Sequence, residues 1–67
     1  MADSVYKVIE LVGTSTKGWE DAAKNAVEKA GESLKNLRIA EIVKLDVTVE
    51  DGGFRYRARV ALSFKVQ

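Results

Sequence analysis

Two long segments of alternating apolar and polar residues, 38–50 and 54–67, flank a three-residue stretch with the sequence Asp-Gly-Gly at positions 51–53. Successive side chains of a β-strand point to opposite faces, so this alternation predicts two strands that each have one apolar face. Asp-Gly and Gly-Gly pairs between two such segments are typical of a tight hairpin turn. The second half of the chain is therefore predicted to be one long antiparallel hairpin.

The same alternation assigns residues to the two faces of the hairpin. Ile39 falls on the apolar face of the first strand, where Glu41 is the one charged exception. Arg57 falls on the polar face of the second strand together with Arg55 and Arg59. Ile39 and Arg57 are thus expected on opposite faces of the sheet.

Two turn positions keep the faces of the hairpin matched, residues 51–52 and residues 52–53, because a slip of one residue would exchange the faces. A turn at 51–52 sets Lys44 opposite Arg59, whereas a turn at 52–53 sets Asp46 opposite Arg59. Opposite charges stabilise a cross-strand pair and like charges destabilise it. We therefore favour the turn at 52–53.

A strand and a helix precede the hairpin. Residues 5–12 are apolar on both faces, which indicates that both faces are covered. Gly13-Thr14-Ser15 is predicted to turn the chain into a helix capped by Thr14, Ser15 or Thr16. Apolar residues then recur at three- and four-residue steps from Trp19 to Leu34, as in an amphipathic helix, and Trp19 on this stripe is expected in the core or at an interface. One helix cannot cover both faces of a sheet, so we infer a subunit interface on the second face.

The predicted fold class is α+β, a single domain over residues 1–67 with the order β-α-β-β and one helix packed on a three-stranded antiparallel sheet. A domain of 67 residues buries a small core, and this chain has no cysteine or histidine for a disulfide or a zinc site of the usual kind. Oligomerisation is the remaining common source of stability.

The composition also restricts the function. Without histidine or cysteine the usual triads and thiolate nucleophiles are absent, so a binding protein is favoured over an enzyme. The charge is nearly balanced, 11 basic against 10 acidic residues, and the arginines at 55, 57 and 59 face away from Phe54 and Tyr56. A nucleic-acid surface would place aromatic and basic groups on one face. We expect no nucleic-acid partner, no membrane span and a cytoplasmic location.

Several segments resemble the dodecin family over almost the whole chain. They are residues 6–15 (Tyr-Lys-Val-Ile-Glu-Leu-Val-Gly-Thr-Ser), the alanine-rich helix, residues 37–42 and residues 56–64. The resemblance implies a sheet wrapped around the helix and a hollow homododecamer that binds a small ligand. In flavin-binding dodecins an aromatic residue, usually Trp, occupies the position of Ile39 and Gln occupies that of Arg57, and both contact the flavin ring. Ile39 offers no π-face and Arg57 offers no hydrogen-bond acceptor.

A subgroup of this family that also lacks the flavin-stacking tryptophan includes calcium-binding dodecins, and the chain resembles it as well. Calcium takes six to eight oxygen ligands, so carboxylates are the candidates. The candidates are Asp46, Glu50 and Asp51 on the hairpin, and Glu20 and Asp21 on the helix. The sequence predicts a binding or storage shell for a small ligand or ion, with a flavin-binding dodecin and a ligand-free structural shell as alternatives.

Overall fold

The computed structural model describes residues 3–66, which form three strands and one helix in the order β-α-β-β. The elements are β1 (Tyr6–Ser15), α1 (Trp19–Gly31), β2 (Leu37–Glu50) and β3 (Gly53–Lys65). β3 lies in the middle of the sheet and is antiparallel to both of its neighbours, in the order β1-β3-β2. The predicted α+β fold is confirmed.

The core between α1 and the sheet is built from small residues. The helix presents three alanines four residues apart, which places them on one face. The buried residues are Ala22, Ala26 and Ala30 of α1 and Ala58, Val60 and Leu62 of β3. Because alanine side chains are short, the helix axis lies close to the strands, and the core is correspondingly thin.

Gly13 is the point of closest approach between β1 and α1. A Cβ atom at this position would overlap the carbonyl oxygen of Ala22 and would lie 3.0 Å from the Cβ of Ala26. The obstructing carbonyl belongs to the helix backbone and cannot rotate away as a side chain could. Only glycine at position 13 therefore allows the helix to pack at this distance.

The connection from β1 to α1 differs from the prediction. β1 continues through Ser15, and the helix starts at Trp19 with Gly18 as its N-cap and no side-chain cap. Ser15 instead accepts a hydrogen bond from the backbone N–H of Lys17 (2.9 Å) and donates one to the carboxylate of Asp21 (2.7 Å). The predicted caps were wrong because pairing with β3 extends β1 beyond Gly13.

The hairpin turn is at residues 51–52, so the preferred turn at 52–53 was wrong. Glu50 pairs with Gly53, and Gly52 has a φ of 86°, a conformation that glycine adopts without steric cost. In this register Asp46 lies opposite Arg57, while Lys44 lies opposite Arg59. The first pair forms a salt bridge, with Arg57 Nε 2.7 Å from Asp46 Oδ1.

A β-bulge at Val43 exchanges the faces of β2. Ile42 pairs with Val60 and Lys44 with Arg59, so Val43 has no partner of its own. Between Ile39 and Ile42 the even-numbered residues of β2 point towards the helix side, and from Lys44 onwards the odd-numbered residues do. Ile39 is therefore on the side away from α1, contrary to the face assigned from strict alternation. A second irregularity, between Leu37 and Ile39, returns Leu37 to the helix side, where it packs against the core.

Many large apolar side chains remain exposed on both sides of the sheet. α1 covers β1 and β3 but little of β2, and the chain extends over 54 Å in its longest dimension. On the uncovered part of the helix side, Val49 is 77% exposed, and on the other side Val8 is 60% exposed. Both faces of β1 are apolar, as predicted, yet only Ile9 and Leu11 pack against the core. A second polypeptide surface is needed to bury the rest.

No helix within residues 3–66 is long and apolar enough to cross a membrane.

Substitution of Gly13 by alanine is expected to lower the free energy of unfolding by about 1–3 kcal/mol or more, because the added methyl group meets helix backbone. Gly31→Ala is the matched control. Its Cβ would have Leu37 Cδ1 as nearest neighbour at 4.0 Å, so it should be neutral or stabilising by up to about 1 kcal/mol. Urea unfolding at equal protein concentration measures the free energy of unfolding of both variants. Equal values for the two variants would show that helix packing does not require glycine at position 13.

Candidate functional site

The candidate site lies on the side of the sheet opposite α1, which we call the far face. Residue pairing and strand alternation assign the following residues to it. They are Tyr6, Val8, Glu10, Val12 and Thr14 of β1; Ile39, Glu41, Lys44, Asp46 and Thr48 of β2; and Arg55, Arg57, Arg59, Ala61, Ser63 and Lys65 of β3. The bulge at Val43 thus brings Ile39 and Arg57 onto one face.

Ile39 and Arg57 nevertheless lie far apart within one chain. Ile39 pairs with Ser63, six residues from Arg57 along β3. At about 3.3 Å per residue this corresponds to roughly 20 Å. A single ring system can therefore contact both positions only when they come from different subunits.

Asp46 holds Arg57 in a two-bonded ion pair across the strands. Arg57 Nε donates to Asp46 Oδ1 at 2.7 Å and Arg57 Nη2 donates to Asp46 Oδ2 at 3.1 Å. The hydrogen bond from Arg57 lowers the pKa of Asp46, with further lowering from the charges of Arg57, Lys44 and Arg59. The same hydrogen bond, which Asp46 accepts, raises the pKa of Arg57. Both side chains are thus held in their charged forms, and two of the five N–H donors of Arg57 are engaged by Asp46.

The calcium candidates do not form a site within one chain. Among residues 3–66 no three acidic side chains are grouped to hold a metal ion. Asp46 stands among three cations, which disfavours a bound cation. Glu50 pairs with Arg55 at 3.2 Å, and Asp21 accepts a hydrogen bond from Ser15. Asp51 lies in the exposed hairpin turn beside Glu50, at a cleft of about 320 Å³.

Glu10 and Glu41 form an acidic pair that sequence reasoning did not identify. Both lie opposite Ala61, one on each side, so the two carboxylates flank a small residue on the far face. The signal in the sequence was Glu41, the charged exception in an otherwise apolar alternation. Its meaning depends on the bulge at Val43, which strict alternation does not reveal.

Trp19 links the helix start to the candidate site. Its indole Nε1 donates to the backbone carbonyl of Asp46 at 3.0 Å, and its ring meets Tyr56 edge to face with centroids 5.1 Å apart. Beside it lies an apolar groove of about 280 Å³, lined by Trp19, Ala23, Ile42 and Leu45 together with Glu20. With 41% of its surface exposed, Trp19 packs at the edge of the core rather than inside it.

Arg55, Arg57 and Arg59 form a row on the far face, while Phe54 and Tyr56 point to the helix side. Two of the three arginines are paired with acidic residues of β2. The separation of aromatic from basic side chains agrees with the expectation from the sequence.

Comparison with known proteins decides the family. The dodecin family model matches residues 5–67. The chain belongs to the dodecin family. It is 42% identical over 65 residues to the calcium dodecin of Mycobacterium tuberculosis, covering 96% of this chain and 92% of that protein. It is 33% identical over 64 residues to the dodecin of Thermus thermophilus, covering 94% and 93%.

Solved dodecin structures share the fold. The dodecin of Streptomyces coelicolor superposes with a TM-score of 0.92 at 32% identity, covering 100% of this chain and 97% of that one. The M. tuberculosis calcium dodecin, described as calcium chelating with a novel calcium-binding site, superposes with a TM-score of 0.86 at 42% identity, covering 96% and 93%. The resemblance found in the sequence, including the likeness to calcium dodecins, is confirmed.

The Asp46–Arg57 pair predicts a pH-dependent stability. Because folding lowers the pKa of Asp46, the pair stabilises the fold above the unfolded pKa, about 3.9, and this contribution disappears as pH falls through the folded value. Asp46→Asn should therefore melt at a lower temperature than the parent protein at pH 7, and the difference should vanish at strongly acidic pH.

Asp51→Asn is the control for this experiment, since Asp51 makes no salt bridge in the described residues. Its melting temperature should follow that of the parent protein at every pH. If the difference in melting temperature between the parent protein and Asp46→Asn does not change with pH, the ion pair does not stabilise the fold.

Proposed function

We propose that this dodecin is a non-enzymatic, homo-oligomeric binding protein whose twelve-subunit shell takes a divalent cation, with calcium as the first candidate, in preference to flavin. A cytoplasmic location forms part of the proposal, since a chain without cysteine fits a reducing compartment. The observation that carries the choice of ligand is the Asp46–Arg57 ion pair.

The ion pair weakens the case for flavin at the position where the family has Gln. An amide can donate and accept a hydrogen bond, whereas guanidinium can only donate. The donors Nε and Nη2 of Arg57 are turned towards Asp46 at 2.7 and 3.1 Å. At the second position Ile39 supplies no π-face for a ring to stack on. Flavin binding therefore lacks both contacts that the family resemblance implies.

The case for a cation rests on one relative. The M. tuberculosis relative is named a calcium dodecin. Calcium needs six to eight oxygen ligands, and residues 3–66 of one chain offer no group of three acidic side chains. The cation would thus be held by carboxylates of more than one subunit, which requires the oligomer.

The oligomer itself is supported by the exposed apolar surface. Val8, Ile39 and Val49 are each at least 60% exposed, although a small domain depends on every apolar residue that it can bury. These side chains lie on both sides of the sheet, so a shell in which each subunit has several neighbours would cover them.

Calcium at a concentration well above its dissociation constant is expected to raise the melting temperature, because a ligand that binds only the native state stabilises it. A free calcium concentration of 100 times the dissociation constant would raise the free energy of unfolding by about 2.7 kcal/mol per site. Differential scanning calorimetry of the native assembly with calcium, with magnesium and with a chelator measures this. An unchanged melting temperature in millimolar calcium would refute the choice of cation.

Riboflavin is expected to bind weakly or not at all to the parent protein, and Ile39→Trp with Arg57→Gln is expected to increase its affinity. Stacking of one ring on an aromatic side chain contributes about 1–3 kcal/mol, which corresponds to roughly 5- to 150-fold in affinity. Riboflavin fluorescence quenching measures the binding. Ile39→Leu with Arg57→Gln is the matched control without a π-face.

Saturable quenching by the parent protein would favour the alternative of a flavin-binding dodecin. If calcium and riboflavin both leave the protein unaffected while its native mass is that of an oligomer, the alternative of a ligand-free structural shell is favoured.

A further inference from the structure

Asp51 and Gly52 form an exposed pair in the hairpin turn, and the chemistry of this pair has a consequence for the protein. The side-chain carboxyl of an aspartate can close a five-membered imide ring, a succinimide, with the backbone nitrogen of the next residue. The side chain of that next residue hinders the reaction, and glycine has none. The four aspartates of the chain precede Ser4, Ala22, Val47 and Gly52. Ring closure is therefore most favoured at Asp51.

The two reacting groups are not engaged elsewhere. Within residues 3–66 the carboxylate of Asp51 takes part in no hydrogen bond or salt bridge. In the same part of the chain the backbone N–H of Gly52, which lies outside the strands, donates no hydrogen bond. A Cβ atom built at Gly52 would have no neighbour within 4 Å, so the space around this nitrogen is open. The carboxylates of Asp21 and Asp46, in contrast, each accept a hydrogen bond at 2.7 Å.

The turn is also only weakly held by the strands. Gly52 has a φ of 86° while the φ of Asp51 is not positive, and these signs are those of a type II turn. Turns of types I′ and II′ match the twist of the two strands of a hairpin, whereas a type II turn splays them. The Asp51 backbone can therefore rotate towards its own carboxyl group without opposing a twist that the strands impose.

We propose that Asp51 is a site of spontaneous modification, at which the native protein converts aspartate into isoaspartate through a succinimide. The nitrogen of Gly52 bonds to Cγ of Asp51 while a Cγ–O bond breaks, and the amide proton leaves with the hydroxyl group as water. A water molecule then opens the ring. Cleavage of the new Cγ–N bond restores aspartate, and cleavage of the original peptide bond gives isoaspartate. Water is the only other reactant, and the site does not depend on the proposed ligand.

The modification changes the end of the hairpin. In isoaspartate the main chain runs through Cγ, so the turn gains one methylene group and the free carboxylate moves to the α carbon. The turn closes on the pair of Glu50 with Gly53, and Glu50 also binds Arg55 at 3.2 Å. A longer turn is expected to disturb this pair. The Asp46–Arg57 pair lies four residue pairs further along the strands and should keep its register.

Incubation of the native assembly at neutral pH in water enriched in oxygen-18 tests the proposal. Each ring opening takes one oxygen atom from the solvent, so peptides that contain Asp51 should gain the label. Electron-transfer dissociation in a mass spectrometer distinguishes isoaspartate from aspartate in the same peptides. Isoaspartate is expected to form at Asp51 on the order of tenfold or more faster than at Asp46, which precedes the β-branched Val47.

Asp51→Glu is the matched variant, because it keeps the charge but would need a six-membered ring. It should gain neither the label nor the rearranged backbone at position 51. A synthetic peptide of residues 47–56 gives the rate without the fold, and incubation continues until half of it has converted. A native protein that stays unmodified over this time would show that the folded turn protects Asp51, which overturns the proposal. Equal rates at Asp51 and Asp46 would overturn it as well.

Hydrogen exchange checks the structural consequence in the converted protein. Exchange should become faster at Glu50 and Gly53 and stay unchanged at Asp46 and Arg57. Unchanged exchange at all four residues would refute the effect on the hairpin end.

Discussion

The extra residue in β2, Val43, determines which side chains face the helix and which face away from it. Without the bulge, Ile42 and Leu45 would lie on opposite sides of the sheet. With it, both line the apolar groove next to Trp19. The same change of face turns Ile39 and Glu41 to the far face, beside Arg57 and Glu10. The composition of both sheet surfaces, and hence the candidate site, follows from this local irregularity in strand pairing.

The core between the helix and the sheet is thin, so the exposed apolar surfaces of the sheet matter for stability. Three alanines of α1 against Ala58, Val60 and Leu62 bury little apolar area, and Gly13 allows the close packing that makes even this core possible. The interface between helix and sheet uses mainly small residues, so many of the large apolar residues lie outside it and remain available for other contacts. Here those large residues are on both sides of the sheet, where a helix of 13 residues leaves them exposed. In the proposed shell, contacts between subunits would bury the apolar side chains that this small core leaves exposed.

The sequence predicted the element order, the apolar stripe of the helix and the two-faced first strand, because these depend on local periodicity that nothing in the tertiary structure overrides. It did not predict the register of the hairpin. The prediction compared Lys44 and Asp46 only as alternative partners of Arg59. The fold sets Lys44 opposite Arg59, and the same register forms the Asp46–Arg57 ion pair. The bulge at Val43 has no signature in the alternation, so Glu10 and Glu41 could not be placed together. For the candidate site residues, the sequence showed which chemical groups they offer but not which of them lie close together.

Asp46 connects the helix, the edge strand and the far face. Its backbone carbonyl accepts from the Trp19 indole, while its carboxylate binds Arg57 on the other side of the sheet. The aromatic contact between Trp19 and Tyr56, the residue next to Arg57, closes this set of contacts. The Arg57 side chain is thus held by Asp46 of β2 and is less free to follow a ligand than an unpaired side chain would be. The fold is retained at about 32–42% identity to solved dodecins. At the position for which the family resemblance implies a neutral amide, an ion pair would change the chemistry of the proposed site without any change of scaffold.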